Sequence, residues 1–147
     1  MKRRVMYFLL VLSCVLFLSA NAAAHCEIPC GIYDDEARIS ELLEHVNTIE
    51  KSMNQIMTIS KEKDHDANQL VRWVMNKEYH ANELQHIVTQ YFMTQRIKLD
   101  AKDYNKKLGL LHQMLVYAMK CKQTTDLANA AKLTAAISEF KTLYFAK

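Results

Sequence analysis

Residues 25–33, HCEIPCGIY, crowd metal-donor side chains into a stretch that also holds the chain's only proline, Pro29. Cys26 and Cys30 flank that proline, and His25 stands directly before the first cysteine. Thiolates and imidazoles are donors for nickel, copper and zinc. If His25 is the amino terminus, its α-amine joins the set. The amine, the Cys26 amide nitrogen and the Cys26 thiolate then close two fused five-membered chelate rings. Cys30 returns to the fourth in-plane position after a turn enforced by Pro29. An N₂S₂ square is planar, which points to Ni(II) or Cu(II); tetrahedral zinc would need further side-chain ligands, and an axial imidazole is all that is at hand. A disulfide between Cys26 and Cys30 is the competing reading in an oxidising compartment. Against it stand the histidine at the expected terminus, the proline inside the loop and the hydroxyl of Tyr33.

The segment ahead of this head is expected to expose it. Lys2, Arg3 and Arg4 form a basic start, and an apolar run follows from Val5 to Leu18. That run falls short of the ~20 residues that span a bilayer. Ala22 and Ala24 supply the small residues of a signal-peptidase site, so residues 1–24 read as a cleaved signal peptide and His25 as the mature terminus. The product is expected to be secreted, periplasmic or otherwise delivered by the secretory route, with no membrane attachment after cleavage. Of 19 Lys+Arg against 16 Asp+Glu, the whole excess is Lys2, Arg3 and Arg4. The mature chain is formally neutral, which removes the charge argument for nucleic-acid binding.

What positions the head is a helical body. Beyond Tyr33 there is no proline and one glycine, Gly109, too few turn residues for a β protein. Apolar residues recur at helical spacing in four stripes. The first runs through Ile39, Leu42, Leu43, Val46, Ile49, Met53, Ile56 and Met57. The second holds Leu70, Trp73, Val74, Ala81, Leu84, Ile87, Val88 and Tyr91. Leu108, Leu111, Leu115, Ala118 and Met119 make the third, and Leu127, Ala130, Ala131, Ala135, Ile137, Phe140 and Tyr144 the fourth. Asp34 or Asp35, Asp66 with Gln69, Asp100 and Thr125 are the expected helix starts. The prediction is all-α: an up-and-down four-helix bundle over residues 34–147 behind an N-terminal metal hook at 25–33. A helix from about Asp66 to Arg96 would be ~45 Å long, longer than a small bundle needs, which suggests packing against another subunit.

The body offers weaker chemistry. Glu83 and His86 have the Glu-x-x-His spacing of di-metal carboxylate sites, but that motif must occur twice and does not. His45, His65, His86 and His112 read as surface or packing residues, and Trp73 as a core or interface anchor. Cys121 is an odd thiol, read as partly buried and free.

HCEIPCGIYD resembles the nickel-hook signature His-Cys-x-x-Pro-Cys-Gly-x-Tyr of nickel superoxide dismutases, matched by His25, Cys26, Pro29, Cys30, Gly31 and Tyr33. RWVMNKEYHA (72–81) and YFMTQRIK (91–98) also resemble the family. The resemblance implies one nickel per subunit in a homohexamer of four-helix bundles. It gives His25 an in-plane amine and, in the oxidised metal, an axial imidazole. Cys26 would contribute amide and thiolate, and Cys30 its thiolate. Pro29 and Gly31 would shape the hook, with Tyr33 beside the open face as the catalytic residue that is not a ligand. The implied reaction takes superoxide to dioxygen and hydrogen peroxide as nickel alternates between Ni(II) and Ni(III). Some family members steady the axial imidazole with a glutamate and an arginine; here Ser40 or Glu41 falls at the first position and His80 at the second. Two alternatives stand beside this reading: a non-catalytic nickel or copper binder, and a secreted helical interaction protein with a Cys26–Cys30 disulfide.

Overall fold

Apolar stripes of this kind have to be buried, and four helices do so in the computed structural model, which describes residues 6–7, 33–64 and 66–146. The chain divides into two units, Met1–Tyr33 and Asp34–Lys147. The second unit is an all-α four-helix bundle. Helix α1 spans Asp35–Ile59, α2 spans Ala67–His86 and runs on as a π-helix over Ile87–Arg96, α3 spans Tyr104–Gln123 and α4 spans Leu127–Phe145. Each packs on the next, and α4 closes the ring against α1. Short links between successive helices give the up-and-down course.

Caps explain where the helices begin. Asp34 accepts from the Ala37 amide at 3.0 Å and opens α1. Asp66 accepts from the amides of Asn68 and Gln69 at 2.9 and 3.1 Å and opens α2. The other two starts differ from expectation. Asp100 lies in a turn, and α3 begins after Asp103, whose φ of 57° puts it in the left-handed region. Aspartate tolerates that conformation better than most residues. In α4 the cap is Asp126 rather than Thr125, with its carboxylate accepting from the Ala128 amide at 3.0 Å. A charged acceptor at a helix N-terminus gains from the macrodipole as well as from the hydrogen bond.

The core lies where the stripes meet. Ile39, Leu42, Val46, Ile49 and Met53 of α1 are fully buried against Ala81, Leu84 and Val88. Leu111, Met114, Ala118 and Cys121 come from α3, and Ala130, Leu133, Ile137 and Phe140 from α4. Phe92 is the pivot, edge-on to Tyr91, Phe140 and Tyr144 with centroids 5.0–5.7 Å apart. Such pairs add ~0.5–1.5 kcal/mol each beyond area burial. The stripes were out of phase in places: Val74, Met119, Ala131 and Ala135 are exposed, and Leu110, Met114, Leu133 and Ala136 are buried instead.

Among the described residues two polar ones are buried, and both bridge helices. Ser52 on α1 donates to the Thr48 carbonyl and accepts from Asn76 on α2. Lys77 on α2 donates to the Cys121 carbonyl at 2.8 Å and to that of Lys122. Its ammonium thereby caps α3, where the dipole favours a cation.

The second helical rod is not uniformly α. From Ile87 to Arg96 it winds with i→i−5 bonds, as in the Ile97 amide to the Phe92 carbonyl at 2.9 Å. Thr94 and Gln95 add side-chain bonds with the same offset, to the carbonyls of Thr89 and Gln90. A π turn holds more residues per rise than an α turn, so this rod is shorter than the expected ~45 Å of continuous α-helix.

Candidate metal centre

Residues 25–32 lie outside the described residues, so the positions of His25, Cys26, Pro29, Cys30 and Gly31 are not part of the geometry below. Tyr33 is described and 39% exposed. It is covalently one residue from the α1 cap, Asp34. Among the described residues no three His, Cys, Asp or Glu side chains converge as a metal site.

Ser40, Glu41 and His80, expected from the resemblance to stand in place of an imidazole-steadying pair, have distinct partners. The Ser40 hydroxyl donates to the Glu36 carbonyl at 3.0 Å, back onto its own helix. Glu41 accepts from Arg38 at 2.6 Å. That guanidinium also lies 5.5 Å over the Tyr91 ring. His80 meets His45 across the α1–α2 contact, Nδ1 to Nδ1 at 2.8 Å. His45 was read from sequence as a surface or packing residue; its pairing with His80, thirty-five positions away, had no local signal.

The histidine pair has a definite proton logic. At 2.8 Å one ring must donate and the other accept, so one proton lies between them and both Nδ1 atoms cannot carry one. The Nε2 of His45 is buried with no hydrogen-bond partner among the described residues. A buried N–H without an acceptor is the rarer defect. The favoured tautomer therefore has His45 donating from Nδ1 and keeping a bare lone pair at Nε2. His80 then accepts at Nδ1 and carries its own proton on Nε2.

Burial lowers the His45 pKa below its ordinary 6.5, and the neighbouring His80 lowers it further, against the raising effect of Glu41, Glu83 and Glu44. A histidine kept neutral by folding takes up its proton more readily when unfolded. Its contribution is thus complete above pH 6.5 and is lost as pH falls through the folded-state value. The urea midpoint of the protein is expected to drop as pH falls below 6.5, and His45→Gln to flatten that slope. An equal slope in parent and variant would remove His45 as its source.

Elsewhere, Trp73 is half-buried beside a surface cavity of about 370 Å³ that Lys51, Arg72 and Asn76 help to line. Cys121 is fully buried and in no disulfide, more enclosed than expected, and burial pushes its thiol up to about 11.

A family model described as nickel-containing superoxide dismutase matches residues 20–147, a span that takes in the donor-rich head and all four helices. No curated protein and no solved structure gave a match.

Proposed function

This chain belongs to the nickel-containing superoxide dismutase family, and from that premise we propose that residues 25–30 hold one nickel per subunit for the dismutation of superoxide. The family makes the protein an oxidoreductase. The observation that carries the assignment of the site is the donor set itself. An α-amine, a backbone amide, two thiolates and an imidazole within six residues suit nickel, whereas hard-cation sites would need carboxylates. Nickel held there supplies one-electron Ni(II)/Ni(III) chemistry, because two thiolates and an anionic amide donate enough charge to bring the couple into the range of superoxide. Per cycle two superoxide ions and two protons become one dioxygen and one hydrogen peroxide.

The chain's own residues have separate tasks. Cys26 and Cys30 would hold the metal as thiolates and so must be deprotonated to bind, and the His25 imidazole would add a nitrogen donor that outer partners can hold in place. Tyr33 is the last residue of the hook segment and carries a hydroxyl able to donate to a small anion or to ordered water. Tyr33→Phe is expected to keep its nickel while raising KM for superoxide or lowering kcat; loss of the metal in that variant would mean that the residue was misplaced.

Cleavage after Ala24 would release the peptide and create the His25 amine in one event, which makes processing and metal loading successive steps outside the cytoplasm. Several copies assembling as a homohexamer would use the apolar residues that α2 leaves exposed at helical spacing, Val71, Met75 and Tyr79. Three measurements on natively processed protein test the reading together: intact mass, metal content and superoxide consumption. A first residue other than His25 in active protein would overturn the processing and ligand assignments. Tightly bound nickel without turnover would leave a metal binder, and a mass two hydrogens short with no metal would leave the disulfide.

A further inference from the structure

Four hydrogen bonds converge on one carboxylate at the point where the chain enters the bundle. Asp35 is the first residue of α1. Its Oδ1 accepts from the Tyr91 hydroxyl at 2.6 Å and from Arg96 Nε at 2.8 Å. Its Oδ2 accepts from Arg96 Nη2 at 2.6 Å and from the Tyr144 hydroxyl at 2.9 Å. The Asp35 side chain is 16% exposed, so little water competes. Burial pushes its carboxyl up, but the hydrogen bonds from Arg96, Tyr91 and Tyr144 outweigh that and hold it below its ordinary 3.8. Burial and the Asp35 carboxylate push the Tyr144 hydroxyl up to about 12, and Tyr91 is raised as well, so both remain donors at neutral pH.

The π-helix is what makes this convergence possible. On an α-helix residues five apart point ~140° away from each other, and Tyr91 and Arg96 could not both reach one carboxylate. With i→i−5 winding, residues five apart lie nearly above one another. A costly local irregularity is thus spent on bringing a hydroxyl and a guanidinium fork to Asp35. A bidentate, partly buried arginine–carboxylate pair is the strong and geometrically strict form of this contact.

A plain fold staple would serve anywhere along the bundle, but this one grips the residue two positions after Tyr33. Chain geometry sets the consequence. Cys30 lies five positions before Asp35, and at ~3.6 Å per position the chain between them reaches at most ~18 Å. Slack at Asp35 is therefore passed on to every ligand ahead of it, and a ligand set tolerates little. We propose that Asp35, gripped by Arg96, Tyr91 and Tyr144, is the positioning residue that fixes the base of the nickel-binding head. This inference rests on the reading of residues 25–30 as that head.

The test is nickel titration of metal-free mature protein, followed by the absorption bands of thiolate-bound nickel. Asp35→Asn turns one acceptor into a donor that faces Arg96. It is expected to weaken nickel binding and to shift or broaden the bands, because ligands with a loosened base are held less closely to the productive geometry. Tyr144→Phe removes a single donor and should do the same to a smaller degree, which keeps the test open if Asp35→Asn folds poorly. Leu111→Ala, a core cavity on α3 at a residue that makes no hydrogen bond in the clamp, is the control for lowered stability and should leave affinity and spectrum unchanged. Parent-like nickel binding in both clamp variants would overturn the proposal, as would an equal loss in the Leu111→Ala control. A parent protein that binds no nickel would overturn the reading of the head, and the clamp's role with it.

Discussion

Mature protein carrying one extra alanine ahead of His25 is expected to lose most of its nickel affinity and its dismutase activity while keeping full helical content. The added residue leaves every side chain of HCEIPCGIY in place. What changes is one atom's chemistry: the α-amine becomes a peptide nitrogen, a poor ligand unless it too is deprotonated. With the amine goes the chelate ring that sets both the Cys26 amide and the imidazole. Loss of a ligand should exceed the ~10–100-fold that loss of an outer partner costs. A disulfide, or a site made of side chains alone, would not register the addition. The measurements are nickel content, superoxide consumption and far-UV circular dichroism on the same sample. Full activity with the alanine present would sink the amine-ligand mechanism.

Cys26→Ser and Cys30→Ser should each bring superoxide consumption to background. On the proposed ligand set, sulfur's role would be electronic as much as structural. A serine hydroxyl is harder, and it ionises far above the thiol range of about 8.5, so it cannot lend nickel the charge that makes the higher oxidation state accessible. Folding should be largely indifferent to the change, because the apolar stripes that drive it meet in a core built from residues between Ile39 and Phe140. The decisive comparison is turnover per bound nickel, with helical content as the control. Near-normal turnover in either serine variant with nickel bound would show that the thiolates do not set the redox chemistry.

How much of this was legible in the sequence depended on how local each cause was. The α1 stripe and the caps at Asp34 and Asp66 were readable, since periodicity and capping are settled within one or two turns. The start of α4 was missed by one residue because Thr125 and Asp126 are both able to cap, and only the fold shows which amide is in reach. Asp103 was missed for another reason: its side chain makes no cap bond. The phase errors in the later stripes follow from helices that touch two neighbours and so bury a broader face than one strict row. Lys77 reads as a solvated cation, yet it is buried because the carbonyls of Cys121 and Lys122 end a helix beside it. The Asp35 cluster draws on residues up to 109 positions apart, and its geometry needs a π-helix that α periodicity conceals. On the site side, the donor residues were conspicuous by type and spacing, whereas the His45–His80 pair needed the α1–α2 contact to bring it together.

The enclosure of Cys121 bears on how long such an enzyme survives its own work. Every cycle releases hydrogen peroxide beside the protein, and peroxide oxidises thiolates, not thiols, along the ladder to sulfenic and sulfinic acids. Burial pushes the Cys121 thiol up to about 11, so the vulnerable anion is scarce at neutral pH. No part of the side chain is open to solvent. Oxidation there would place a polar, enlarged sulfur inside the α3 contact and undermine the bundle. Among the described residues the one cysteine is thus shielded from the reaction's product by its enclosure in the core.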